Sequence, residues 1–189
     1  MTISLMQLWM PILGGALFAW IASALIHMLI KYHNSDYRKL ENENDLMTTL
    51  GQGKPSPGLY HFPYCADMSE MANEDMQQKM IRGPVGFVTL FPNGLPNMGK
   101  LLSQQIAYFV IGNALIAYCA TLVLSPGADF MSVFRFFSAV GFLAYGWATI
   151  PFSIWFGYQW SMTMKYLLDA LIYALVVAAT FAWLWPDLI

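Results

Sequence analysis

Four stretches of the chain are apolar for long enough to cross a bilayer, and one long polar stretch separates the first from the rest. Crossing the hydrocarbon core takes about 20 mostly apolar residues in a helix. The first stretch covers residues 8–30 without a formal charge, and Pro11 sits near its start, where a missing N–H is tolerated. The other three cover residues 101–124, 132–157 and 164–185. Ser125-Pro126-Gly127-Ala128-Asp129 is a turn signal between the second and third, and Gly157-Tyr158-Gln159-Trp160-Ser161 separates the third from the fourth. Both connections are short, so the last three spans are expected to form an antiparallel series. Pro151 falls inside the third span and predicts a kink, with neighbouring helices compensating the lost backbone bond. Trp9, Trp160, Trp183 and Trp185 lie near predicted ends, as an interfacial aromatic belt does.

The polar insert, residues 31–100, carries its own pattern. Residues 36–50 read as a short helix closed by Gly51 and Gly53, after which Pro55-Ser56-Pro57-Gly58 forces a turn. Residues 59–62 and 85–91 read as strands bounded by Pro and Gly. Between them, residues 67–80 predict a helix with Asp67 as N-cap and Glu70 three positions on. The expected fold is an all-α membrane protein: four transmembrane helices, with a small α+β cap on the membrane surface between helices one and two. The domains are then residues 1–30, 31–100 and 101–189.

Composition supports a bilayer as solvent. Of 189 residues, 58% are hydrophobic and 11% charged, against about 45–50% and about 25% in ordinary soluble domains. A chain of this size cannot hide that much apolar surface in its own interior. A net charge of −2 excludes a basic nucleic-acid binder, and two cysteines exclude a disulfide scaffold. The first span is read as a retained helix, because residues 1–7 lack Lys and Arg and its apolar run exceeds a signal peptide's about 7–15 residues.

Charge also gives an orientation. Residues 31–100 hold seven of nine Lys/Arg and eight of eleven Asp/Glu. Near the span ends, Lys31, Arg38, Lys39, Lys100 and Lys165 share one side and outweigh Arg135 on the other. The insert is therefore expected in the cytoplasm and both termini outside. Cys65 then lies in a reducing compartment and Cys119 in a lipid-embedded helix, so no disulfide is expected.

Asp169 is the sharpest chemical feature, since a carboxylate about five residues inside a span is costly and calls for a partner. Lys165 lies four positions earlier on the same helix face, which predicts a structural ion pair. His27, Lys31, Gln104 and Gln105 approach from the same side at similar depth, and an Asp169–His27 pair would suit proton coupling or a polar ligand site. Arg135 reads as an anchor snorkelling to the headgroups, with Asp129 or Asp187 as partner. His27, His33, His61 and Cys65 are metal-ligating residue types, with His61-x-x-x-Cys65 able to give two ligands, but they are weak metal candidates because the spacing matches no standard site. Met68, Met71, Met76 and Met80 read as an amphipathic helix face. Only His27 lies inside a span, so haem, which takes two axial histidines there, is not expected. No cofactor is. Catalytic motifs are absent, so a non-enzyme is expected.

Small residues recur at helical spacing: Ala170, Ala174, Ala178 and Ala182; Gly15, Ala19 and Ser23; Ser138, Gly141 and Ala144. Such faces let helices approach closely in lipid, within one bundle, in a homo-oligomer or against a membrane-protein partner.

Lys31-Tyr32-His33-Asn34-Ser35-Asp36-Tyr37, Pro57-Gly58-Leu59-Tyr60-His61-Phe62-Pro63, Arg82-Gly83-Pro84-Val85-Gly86 and Asn97-Met98-Gly99-Lys100 resemble a family of small uncharacterised bacterial membrane proteins. Asp169-Ala170-Leu171-Ile172-Tyr173 and Trp183-Leu184-Trp185-Pro186 belong to the same resemblance. It implies a bacterial cytoplasmic membrane and no particular activity. The expected function is a non-enzymatic accessory or binding protein of that membrane. The alternative is a small proton-coupled transporter or channel component using Asp169 and His27.

Overall fold

The computed structural model describes residues 3–187. In chain order its elements are α1 (Trp9–Ala24), α2 (Glu43–Gln52), β1 (Gly58–Phe62), α3 (Glu74–Arg82), β2 (Gly86–Leu90), α4 (Met98–Thr121), α5 (Phe130–Gly146), α6 (Ile150–Trp155) and α7 (Trp160–Trp183). They fall into two compact units. The helical unit takes the described residues up to Tyr37, Asn97–Ile154, and those from Tyr158 onward. The second unit takes Arg38–Pro96 and Trp155–Gly157.

In the helical unit, four stretches are long and apolar enough to cross a membrane: Leu5–Ile30, Met98–Thr121, Phe130–Trp155 and Trp160–Trp183. Each begins a few residues before its run of hydrophobic sequence, because a helix starts at its cap and not at its first apolar residue. The Asn97 side chain accepts the Lys100 N–H at 3.0 Å, and Asp129 accepts from Met131 and Ser132 at 3.0 and 3.1 Å. Asp129 is therefore occupied as a cap, and among the described residues Arg135 has no ion-pair partner. The third span does not bend smoothly at Pro151. It breaks one turn earlier, into a 3-10 turn over Trp147–Thr149 between α5 and α6. Pro151 has no N–H to bond the Trp147 carbonyl and its ring crowds that carbonyl, so the helix retightens there.

α7 is the central helix. Half of its most apolar window is buried, against 22–28% for the other three spans. Its most extensive partner is α5, where Gly141 faces Ala174 and Gly146 faces Ala170. The alanine stripe of α7 is thus used inside the chain. On the third span the close-packing positions are Gly141 and Gly146, whereas Ala144 is exposed. Phe137 and Phe181 stack at 4.0 Å in the core, and α1 packs on both α4 and α7. The outer faces stay apolar, with Leu13, Leu17 and Phe18 of α1 and Ile111 and Leu115 of α4 exposed. That is the surface a multi-pass membrane protein turns toward lipid.

In the second unit, β1 and β2 pair antiparallel from Gly58↔Leu90 to Phe62↔Gly86. The helix expected over residues 67–80 is two pieces instead. A 3-10 turn, Met68–Ala72, is capped by Asp67, and α3 starts afresh after Asn73. Asn73 is extended (φ −71°, ψ 129°) and its side chain accepts the Asp75 N–H at 2.8 Å. An Asn that bonds the next turn competes with helix continuation, so the four methionines never share one helical face. The helix expected over residues 36–50 starts later, at Glu43, and Asp36 belongs to the helical unit.

Candidate functional site

The site is built where the first span ends. Beyond Ala24 the helix widens into a π-helical turn over Leu25–Ile30, closed by the Lys31 N–H on the Ile26 carbonyl at 2.8 Å. Lys31 then adopts a left-handed conformation (φ 55°), which stops the helix and reverses the chain. A 3-10 turn follows over Tyr32–Asp36 and packs against α7. Such π-turns recur at functional sites.

This reversal brings two residues onto Asp169, which is 3% exposed in the middle of the polar cluster. The Tyr32 hydroxyl donates to Asp169 Oδ1, and His33 Nε2 lies 2.8 Å from Oδ2. His33 Nδ1 lies 2.8 Å from Asp36 Oδ2, and the Lys165 ammonium holds Asp36 Oδ1 at 2.5 Å. Lys165 Nζ also donates to the Tyr32 carbonyl at 2.9 Å and to Ser35 Oγ at 2.7 Å. Burial pushes the Asp36 carboxyl up, but its bonds to Lys165 and His33 outweigh that and hold it below the ordinary carboxylate value. Asp36 is therefore ionised and can only accept, so His33 Nδ1 carries a proton. One further proton lies between Nε2 and Asp169.

His27, in the π-turn, stacks on His33 with ring centroids 5.0 Å apart and planes within 8°. Its Nδ1 is 3.0 Å from the Ser23 carbonyl, which only accepts, so that nitrogen is also a donor. His33 additionally stacks on Tyr166 at 4.9 Å. Asp169 and His27 line a cavity of about 690 Å³ whose other walls include Trp20, Gln105, Tyr108, Tyr145 and Tyr173.

The expected Asp169–Lys165 ion pair is not made. Lys165 reaches Asp36 instead, because the folded-back turn offers it a carboxylate, a hydroxyl and a carbonyl together. Asp169 is left to His33 and Tyr32. His27 and Gln105 sit at the site, while Gln104 is exposed and outside the cavity wall. Asp36 and Tyr32 carry no functional expectation from the sequence, and His33, a metal candidate there, is not expected as the partner of Asp169. The signal available was His33-x-x-Asp36, an i,i+3 pair directly behind a span end. In the second unit, His61 stacks on Phe87 across the hairpin at 4.5 Å, and the Cys65 thiol donates to the Asp67 carbonyl at 3.0 Å. Burial, with Glu70 nearby, pushes the Cys65 thiol up and disfavours the thiolate a metal needs. Among the described residues, the His/Cys/Asp/Glu side chains that gather around one point are His27, His33 and Asp169.

No protein-family model, no curated protein and no solved structure matches this chain.

Proposed function

We propose that the chain is a non-enzymatic binding protein of a bacterial cytoplasmic membrane, with the second unit on the cytoplasmic side and both termini outside. Its ligand seat is the cavity of the helical unit. The observation that carries this reading is the character of that cavity: about 690 Å³, walled by all four spans and mostly apolar, with Asp169, His27, Gln105, Ser23, Thr149 and the tyrosine hydroxyls as its polar groups. Binding sites for small molecules have this build, a large apolar lining with a few fixed polar groups that set orientation. A ligand that fits carries an apolar body along the tyrosine and tryptophan walls and a polar end at Asp169 and His27.

Native mass spectrometry of the full chain in mild detergent tests this. A retained small molecule is expected on the wild type and absent from Gln105→Trp, which puts an indole into the cavity from its wall without touching the Asp169 hydrogen bonds. Equal occupancy in both proteins, or no retained molecule in either, overturns the reading. Proton uptake by vesicles carrying the protein, dependent on Asp169 and His27, would replace it with the small proton-coupled transporter.

A further inference from the structure

The geometry points to a divalent transition-metal site formed by His27, His33 and Asp169, the three groups that sit at the polar end of the cavity. The inference builds on the binding-site reading above and names a second, inorganic ligand for it. Each of the three offers a ligand atom within 4.8 Å of the other two. Two bonds of about 2.0–2.1 Å to one tetrahedral zinc ion set their ligand atoms about 3.3 Å apart, and His27, the exposed member, closes the difference by pivoting about its bond to the Ser23 carbonyl.

Four features favour a metal over a hydrogen-bond cluster that only braces the fold. Both histidines commit Nδ1 to a fixed acceptor, His27 to the Ser23 carbonyl and His33 to the Asp36 carboxylate. That is how ligating histidines are oriented, and it leaves Nε2 of each as the remaining donor atom. Asp169 is prepared in the same way: Tyr32 holds Oδ1, so Oδ2 is the single oxygen turned to His33. Lys165 offsets Asp36, so once the proton shared with His33 leaves, Asp169 is a carboxylate with no countercharge of its own, and a metal cation supplies one. Finally, His27 and Asp169 open on the cavity, which gives an ion a route and room for a further small ligand. Two imidazoles and one carboxylate suit zinc, iron, cobalt or nickel over calcium or magnesium, which prefer all-oxygen shells. Metal uptake balances by release of the proton shared between His33 Nε2 and Asp169 Oδ2.

The test uses the full chain in mild detergent, treated with chelator and titrated with Zn²⁺ against a chromophoric competitor. Co²⁺ serves as a visible-absorption probe of the same site. One equivalent of zinc is expected on the wild type, with affinity falling at least about 100-fold in His27→Ala and about 10–100-fold in Asp36→Asn, a residue acting through His33. Metal-free melting curves of His27→Ala should match the wild type, since His27 is exposed; His27→Gln serves if that variant fails to fold. Equal zinc affinity in wild type and both His27 variants, or a cobalt spectrum unchanged by them, overturns the site. Mass spectrometry on the same samples separates the two readings: a retained cavity molecule with no His27-dependent zinc sinks the metal site alone.

Discussion

His33 and Asp169 are 136 positions apart in the chain, yet His33 Nε2 lies 2.8 Å from Asp169 Oδ2 inside the helical unit. The contact ties the end of the first span to the middle of the central helix. It also gives a buried carboxylate the donor it needs. Removing one partner from such a pair strands the other, at about 3–5 kcal/mol. His33→Ala is therefore expected to destabilise the detergent-solubilised protein by that order. The double variant His33→Ala/Asp169→Asn should recover part of the loss, because the stranded charge is gone. Unfolding curves for the two variants decide it, and an additive double variant would show that the pair is not coupled.

Asp129 makes a prediction in pH. The Ser132 side chain and backbone N–H hold its carboxyl below the ordinary carboxylate value, in the cap of α5. A folded-state value below the unfolded one means that its stabilisation is present above the unfolded value, near pH 4, and is lost as pH falls through the folded one. The melting-temperature gap between wild type and Asp129→Ala should be full at pH 7 and narrow below about pH 4. A gap that stays constant down to pH 2.5 would contradict this origin.

Gly146 separates close packing from mere helix preference. A Cβ there would sit 2.6 Å from the Ala170 Cβ and 3.2 Å from Leu167. Gly146→Ala should cost about 1–3 kcal/mol, as overpacking does. Gly51 in α2 has nothing within 4 Å of such a Cβ. Gly51→Ala should be neutral or stabilising by about 0.5–1 kcal/mol through helix propensity alone. Chemical denaturation of both variants checks the contrast, which fails if they shift alike.

Orientation is testable without purification. The proposed cytoplasmic insert rests on the positive-inside rule applied to Lys31, Arg38, Lys39, Lys100 and Lys165. With four spans, a reporter at the C-terminus should then be active only as a periplasmic enzyme. Cytoplasmic activity from that fusion would reverse the orientation proposed above.

The four spans and the two strands were legible in the sequence because each follows from local periodicity and length. Hydrophobic runs mark the spans to within a few residues, and Pro and Gly bound Gly58–Phe62 and Gly86–Leu90. The small-residue stripe of α7 was legible too, though not what it packs against. The break at Asn73 was hidden, because a capping side chain looks like any polar helix residue until the next turn forms around it.

The candidate site divides in the same way. The sequence by itself determined that Asp169 is an intramembrane carboxylate needing a partner, and that His27 stands at the end of the first span on the same side. Only the tertiary structure decided which partner it takes. Lys165, four positions away on the same helix, is turned to Asp36, and the donors come from Tyr32 and His33. The physical reason is a single left-handed residue, Lys31, behind a π-helical turn. That backbone reversal folds a polar segment back against α7, and no periodicity in the sequence encodes where a reversed chain will land.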